Sequence, residues 1–361
     1  MKERISLYQT ALLLTIAVLP TSIVLLPAVV VNNAGRDGWI SAIILIFLGV
    51  VFSYFYTLLV KRMGTMNFIE FNKKILGKWL TTPLVINLIV YFIMISGVVT
   101  RQTAEIITFN YLPLTPLWFI NLNIILIGAL FVFYGLETMG RTAEILVYLF
   151  YILFFLIIIL IINDISLNNL RPFVAHGIKP VLKGIYPGLI FFSEIFIILF
   201  WSPNIKKRKN VIKSLLWAIF VVGFFFVLVI FLIITLYGES LSNELTIPLV
   251  TLIGYVSKLE VFERMDPFIL FFWIGGGIGK MTMFMYGAVY TLQKFFNTST
   301  NYLFILLVIP PIFYFSFYYF HNFIELNQFV ARTAPYFVSV QVLYPLIIYI
   351  ISLIRGIKIS E

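Results

Sequence analysis

The chain has 361 residues, of which 61% are hydrophobic and 11% are charged, and its mean hydropathy is +1.05. Soluble domains carry about 25% charged residues, so composition alone predicts a polytopic membrane protein. The absence of cysteine excludes disulfides and cysteine-based metal sites or nucleophiles. The histidines, His176 and His321, fall in predicted loops, and neither a metal site nor a cofactor is expected. The net charge of +10 is better explained by membrane topology than by a nucleic-acid partner.

A transmembrane helix needs about 20 apolar residues. The chain is therefore predicted to be one all-α membrane domain, 1–361, with about ten spans. The boundary between the third and fourth spans stays open because they lie so close together. The predicted spans are 8–31, 38–60, 83–111, 114–134, 145–162, 184–203, 211–236, 267–296, 302–320 and 335–354.

An even number of spans puts both termini on one side of the membrane. Most of the 25 lysine and arginine residues fall on the side of the termini, which predicts that both termini are cytoplasmic. The first apolar run is too long for a cleavable signal peptide. The run KKRK at 206–209 could suggest a nuclear signal, but its place directly after a span favours a topology anchor that contacts anionic lipid.

Two segments outside the spans are expected to have structure of their own. Residues 66–80 put Phe68, Phe71, Ile75, Leu76 and Trp79 on one helical face, which predicts an amphipathic helix on the inner surface. Residues 239–263 are too apolar for an open loop and are predicted to fold back as an extracellular lid.

Ten spans divide into two halves of five, 1–164 and 182–355, and an odd number per half requires the second half to be inverted. The first span of each half carries a helix-breaking signal. Pro20, followed by Thr21 and Ser22, interrupts the first span. In the sixth span, Pro187 and Gly188 weaken the first half, and Ser193–Glu194 mark the interruption in the middle. The alternative for Pro20 is an ordinary kink in a continuous helix.

Broken helices free backbone groups that a polar ligand can satisfy, and two facing breaks suit a zwitterion such as an amino acid. Glu194 would then bind the ligand's ammonium group or couple binding to a helix shift, and its alternative role is a structural hydrogen bond. Phe191 and Phe192 could wall the ligand's side chain, and Tyr91 and Gly97 could face the cavity. The candidate ligand-binding residues are Leu19, Pro20, Thr21, Ser22, Gly97, Phe191, Phe192, Ser193 and Glu194.

Three further charges lie within spans. Arg101 and Glu105 are four residues apart on one helical face and are expected to pair, as a structural ion pair or as an outer gate. Lys280 follows Gly275, Gly276, Gly277 and Gly279, which allow close helix packing. Lys280 could pair with Glu194 or with Glu105.

Several stretches resemble the B subunits of GerA-type spore germinant receptors, the germination permeases of the amino acid–polyamine–organocation (APC) superfamily. They are VLLPAVVVNNAGRDGWIS (24–41), the pattern Ser193-Glu194-x(8)-Pro203, and ERMDPFILFFW (263–273) with Glu263, Arg264, Asp266 and Trp273. The resemblance covers nearly the whole chain. It implies a LeuT-type fold of ten helices and a germinant-sensing role in the spore inner membrane together with A and C subunits.

The resemblance also bears on the candidate site residues. It implies that Lys280 stands in for the sodium ion that LeuT-like folds hold between the first and eighth spans. The chain departs from the superfamily at Pro20-Thr21-Ser22, where a Gly-x-Gly pattern is usual, and this departure puts carboxylate binding there in doubt because proline removes a donor.

Three functions are weighed. The first is a sensing subunit with a transporter fold, and the second is a proton-coupled amino-acid transporter. A membrane enzyme is not expected, since no histidine or cysteine lies at membrane depth. Fold alone does not separate the first two.

Overall fold

The computed structural model describes residues 4–174, 176–245, 248–249, 251–252, 266–298 and 300–356. Much of the predicted lid lies outside these residues, as do Glu263 and Arg264. In chain order the helices are α1 (Leu7–Ala34), α2 (Gly38–Met63), α3 (Phe68–Asn110), α4 (Leu117–Tyr134), α5 (Leu136–Ile161), α6 (Ile178–Ser193), α7 (Ile198–Trp201), α8 (Val211–Glu244), α9 (Asp266–Phe296), α10 (Tyr302–Phe317), α11 (Phe323–Val338) and α12 (Tyr344–Ile354). A 3₁₀ turn, Glu194–Ile197, joins α6 to α7, and a π-helix, Ser339–Leu343, joins α11 to α12.

The helices agree with the predicted number of spans. Seven helical stretches among the described residues are long and apolar enough to cross a membrane, and the first of them, Leu7–Met63, has 57 residues. As one straight helix it would be about 85 Å long, far more than the roughly 30 Å of a bilayer core. The chain turns at Gly35, where φ is 60°, so this stretch is two spans and the seven stretches contain eight spans. The helices α9 and α10, which are the eighth and ninth spans in chain order, bring the number to ten.

Two spans begin earlier than predicted. α5 begins at Leu136 instead of residue 145, directly after Gly135, whose φ of 85° separates it from α4. Its first turns are polar, which is why the apolar run began later, and they carry an exposed ion pair between Glu137 and Arg141 at 2.9 Å. α11 begins at Phe323 instead of residue 335, because the Asn322 side chain caps it by accepting from the Glu325 amide.

The segment predicted as an amphipathic helix forms the first turns of α3. The Asn67 side chain accepts a hydrogen bond from the Glu70 amide at 2.9 Å. Its apolar face packs on protein: Phe68 is fully buried and lies 5.5 Å from the rings of Phe200 and Tyr344. Trp79 is 92% exposed because it follows a break in the helix at Gly77. The break sets Trp79 apart from the face that contains Phe68, and the surface position of this segment stays a prediction.

The expected interruption of the first span requires correction. α1 runs continuously through Pro20 from Leu7 to Ala34, which is the ordinary-kink alternative. Membrane helices tolerate proline within a continuous helix. The Ser22 hydroxyl bonds within α1 as well, donating to the Leu19 carbonyl at 3.0 Å. The sixth span does change, since α6 ends at Ser193 and a tighter 3₁₀ turn follows.

Glycines let α9 pack closely against three other helices. A Cβ atom on Gly279 would lie 2.6 Å from Ile16 Cγ2 in α1, and one on Gly277 would lie 2.3 Å from the Thr103 hydroxyl in α3. Gly275 faces Leu146 of α5 in the same way. The expected role of the glycine-rich stretch in close packing is confirmed, and this packing brings Lys280 to the centre of the bundle.

The end of the molecule that carries the amino terminus is held by short backbone contacts. The Ile5 amide donates to the Asn204 carbonyl at 3.0 Å, and the Lys206 amide donates to the Ile5 carbonyl at 2.9 Å. Within the KKRK run only Arg208 turns inward, where it donates to the Ser202 hydroxyl at 2.9 Å. The three lysines of the run are exposed.

Candidate functional site

A buried ion pair joins three spans at the centre of the bundle. The Lys280 ammonium of α9 donates to both Glu194 carboxylate oxygens, at 2.8 and 2.7 Å. It also donates to the Thr21 hydroxyl of α1 at 2.5 Å. Lys280, Glu194 and Thr21 are 1%, 2% and 3% exposed. The tight helical turn after Ser193 presents the carboxylate to α9, so the change of helix type and the charge belong to one feature.

Two aromatic rings flank the ammonium group. Lys280 Nζ lies 5.2 Å from the ring centre of Phe191 and 5.8 Å from that of Phe284. Both distances fall within the range of cation–π attraction. The rings also keep water away from the pair, which strengthens its Coulomb attraction. Phe191 therefore contacts the pair directly.

This geometry decides between the two partners that the sequence allowed for Lys280. Its partner is Glu194, whereas Glu105 pairs with Arg101 at 2.6 Å. Both Glu194 oxygens accept from Lys280, so a covalently tethered ammonium group already balances the charge of this carboxylate. The carboxylate is engaged as an internal link between spans.

Arg101 is a link of a similar kind between α3 and the end of α10. Besides Glu105, its guanidinium donates to the carbonyls of Ser316 and Phe317, each at 3.2 Å. These carbonyls end a helix, where a positive charge is stabilising. Arg101 is 4% exposed. The contacts support the structural interpretation of this ion pair over the gating one.

A second polar cluster surrounds the π-helix and was largely missed by sequence reasoning. Gln341, in the π-helix, donates to the Tyr91 hydroxyl at 2.7 Å and accepts from the Ser193 hydroxyl. The Tyr56 hydroxyl donates to the Gln341 carbonyl at 2.9 Å. π-helical turns often occur at functional sites. The signal in the sequence was one glutamine in the apolar stretch SVQVLYPL (339–346).

A cavity of about 440 Å³ lies next to Phe191, towards the end of α1 that is remote from the amino terminus. Its wall is formed by late residues of α1, the second half of α6, Gln102 of α3 and one side of α11. Of the candidate ligand-binding residues, only Phe191 lines it. The lining residues are Leu25, Leu26, Ala28, Val29, Asn32, Gln102, Tyr186, Pro187, Ile190, Phe191, Leu245, Asn327, Val330, Ala331 and Ala334.

The other candidate residues have different surroundings. Leu19, Pro20 and Ser22 are buried within the helix packing around α1. Phe192 lies 6.1 Å from the ring of Phe226. A Cβ atom on Gly97 would lie 2.8 Å from the Phe315 ring, so Gly97 permits close packing of α3 on α10.

A second cavity, of about 640 Å³ and with a more polar wall, lies at the end of the bundle where α1 ends. Arg36, after α1, pairs there with Glu239 near the end of α8 at 2.5 Å. The Asp37 carboxylate accepts from the Val174 amide at 3.0 Å. These contacts connect the turn between α1 and α2 with the α5–α6 loop and with the last turns of α8. The residues are so distant along the chain that sequence spacing offered no signal.

The fold and this central site define a membrane protein of the LeuT type. The structure of Mhp1, described as a nucleobase-cation-symport-1 family transporter with bromovinylhydantoin bound, matches with a TM-score of 0.64 at 12% identity, covering 94% of this chain and 78% of that chain. The structure of MhsT in complex with L-phenylalanine also gives 0.64, at 14% identity, covering 95% and 90%. At these identities the likeness establishes the fold alone.

The sequence comparisons then give the family. The profile of the family described as "Spore germination protein" matches residues 4–328, and the chain belongs to this family. Spore germination protein KB of Bacillus subtilis is 28% identical over 301 residues, which are 82% of this chain and 80% of that protein. Spore germination protein A2 of Bacillus subtilis is 26% identical over 320 residues, covering 87% and 86%. Spore germination protein XB of Bacillus anthracis is 25% identical over 333 residues, covering 90% and 93%.

Proposed function

We propose that this chain is the germinant-sensing membrane subunit of a spore receptor, and that it binds a small nutrient, an amino acid, in the cavity beside Phe191. It acts in the spore inner membrane with A and C subunits, and its termini are cytoplasmic. The observation that carries the proposal is a cavity of about 440 Å³ lined by Phe191, whose ring centre lies 5.2 Å from Lys280 Nζ of the central ion pair. Membership in the spore germination family supports it independently.

Phe191 connects the two parts of this mechanism. Its side chain lines the cavity and also lies 5.2 Å from Lys280 Nζ. A ligand that moves this ring changes the surroundings of an ion pair that joins α1, the sixth span and α9. Ligand binding in the cavity thus favours one arrangement of these helices, and partner subunits read that arrangement.

The second candidate is a proton-coupled amino-acid permease. What favours it is that both structural neighbours are transporters or bind small solutes, hydantoin-like in one and L-phenylalanine in the other. A sensor needs only to bind its ligand, whereas a permease must also release it on the far side.

Two measurements test the proposal and separate it from the permease. We expect at least one of the twenty amino acids to raise the thermal unfolding midpoint of the purified chain, and Phe191→Ala to reduce that shift. The matched control is Phe220→Ala, which removes an exposed ring of α8. No shift with any amino acid would refute amino-acid sensing, and concentrative uptake by proteoliposomes that contain this chain alone would establish the permease instead.

A further inference from the structure

The wall of the cavity beside Phe191 combines an apolar surface with three carboxamides. Asn32 and Asn327 are exposed near its opening, whereas Gln102 is only 4% exposed. None of the described lining residues is charged. Moving a charged group from water into such a wall without a partner is unfavourable. Among the described lining residues, no side chain therefore offers a counter-charge to a solute that carries a net charge.

Gln102 is the unusual member of this set. Its side chain lines the cavity, and within the described part of the chain its carboxamide takes part in no hydrogen bond. Its polar atoms are not among the fully buried side-chain atoms that lack a partner. The carboxamide is therefore open to the cavity, where a ligand can supply the partners that polar groups normally have. The neighbouring residue on α3, Arg101, is fully engaged with Glu105 and the end of α10.

We infer that Gln102 recognises the polar group of the ligand and that the cavity takes a solute of zero net charge with an apolar side group. The carboxamide offers both a donor and an acceptor, so it can bind a zwitterion's carboxylate or its ammonium group without adding charge. Leu25, Pro187, Ile190 and Phe191 then contact the apolar side group. This inference rests on the proposed function and adds the class of ligand and the residue that selects it.

The first test uses L-leucine, L-lysine and L-glutamate as probes of the purified full-length chain. We expect the chain to bind L-leucine at least tenfold more tightly than the two charged amino acids. Gln102→Leu should weaken L-leucine binding about tenfold, the loss expected for one or two hydrogen bonds. Gln328→Leu is the matched control, since Gln328 is exposed on α11 and does not line the cavity.

Gln102→Glu distinguishes recognition from a structural role. A carboxylate at this position should favour L-leucinamide, which carries an ammonium group but no carboxylate, over L-leucine. A variant that merely disturbs packing would weaken both probes equally. Equal weakening, or unchanged L-leucine binding in Gln102→Leu, would overturn the role of Gln102 while leaving amino-acid sensing intact.

A second test does not depend on the identity of the ligand. Because the native chain has no cysteine, Ala331→Cys in the cavity wall and Gln328→Cys outside it can each be modified without background. For each variant we compare the rate of modification by neutral methyl methanethiosulfonate with the rates of a cationic and an anionic methanethiosulfonate. We expect the ratio of the neutral rate to each charged rate to be about tenfold larger at position 331 than at position 328. Equal ratios at the two positions would overturn the charge selectivity, whether or not any amino acid binds.

Discussion

At the scale of single residues, the central feature is an ion pair held where water does not reach. Glu194 and Lys280 are each only 2% exposed at the side chain. The attraction between two such charges offsets their desolvation only when both are present and well hydrogen-bonded. Thr21 supplies the additional acceptor for the ammonium group. The pair therefore stabilises the packing of α1, the sixth span and α9 only when both charged side chains are present.

Either single neutralisation should destabilise the protein more than removal of the whole pair. We expect Glu194→Gln or Lys280→Met to lower the free energy of unfolding by about 3–5 kcal/mol, because each leaves one buried charge without a partner. The double variant should recover a large part of this loss. Unfolding by sodium dodecyl sulfate, followed by circular dichroism, measures the difference.

The control is the exposed pair of Glu137 and Arg141, which has the same chemistry and a contact of 2.9 Å. Glu137→Gln should unfold close to wild type, because water screens exposed pairs. Losses at Glu194 and Lys280 that simply add in the double variant would contradict the assigned coupling.

At the scale of elements, the helices bend where the backbone requires it and not wherever proline occurs. Pro20 and Pro27 lie inside one continuous α1. By contrast, the sharp break within α3 is at Gly77, where φ is 78° and ψ is 170°. This conformation is almost restricted to glycine. It separates the first turns of α3, which pack on the bundle, from the long part of the helix.

Gly77→Ala isolates this backbone effect, because a Cβ atom there would meet nothing within 4 Å. We expect the substitution to destabilise the protein by about 1–3 kcal/mol through strain alone. The measurement is again the unfolding transition. Lys78→Ala, at the exposed neighbouring position, keeps the glycine and should have little effect. An unchanged midpoint in Gly77→Ala would mean that this break relaxes at no cost.

At the scale of the whole molecule, the distribution of basic residues agrees with the packing of the amino-terminal end. Ile5 pairs with the segment around Ile205, so Arg4 lies beside the exposed lysines of the KKRK run. Basic residues concentrate on the cytoplasmic side of membrane proteins. This end of the bundle is the one that we expect to face the cytoplasm.

Single cysteines in the cysteine-free chain test that orientation. We expect Asn33→Cys, exposed at the far end of α1, to react with a membrane-impermeant maleimide in intact protoplasts. Lys207→Cys, exposed in the KKRK run, should react only after the membrane is opened. Gel-shift labelling of the two variants gives the result, and the reverse pattern would invert the topology.

The sequence by itself determined the membrane class, the ten spans and the buried charges, because apolar length and intramembrane charge are local properties of the chain. The predicted starts of two helices were too late, because polar residues extend α5 back to Leu136 and a capping side chain, Asn322, starts α11 at Phe323. The change of helix type within the sixth span was predicted at Ser193 and Glu194, because a carboxylate in an apolar run needs a partner.

Only the tertiary structure decided which partner that was and where the cavity lies. The rotation of each helix about its axis depends on contacts between segments far apart in sequence, such as Gly279 with Ile16 and Gly97 with Phe315. Nearly uniform apolar spans carry little signal for this rotation, because in lipid both the buried and the exposed faces are apolar. Gln102 and Gln341 became recognisable only once packing had placed one beside a cavity and the other among buried hydroxyls.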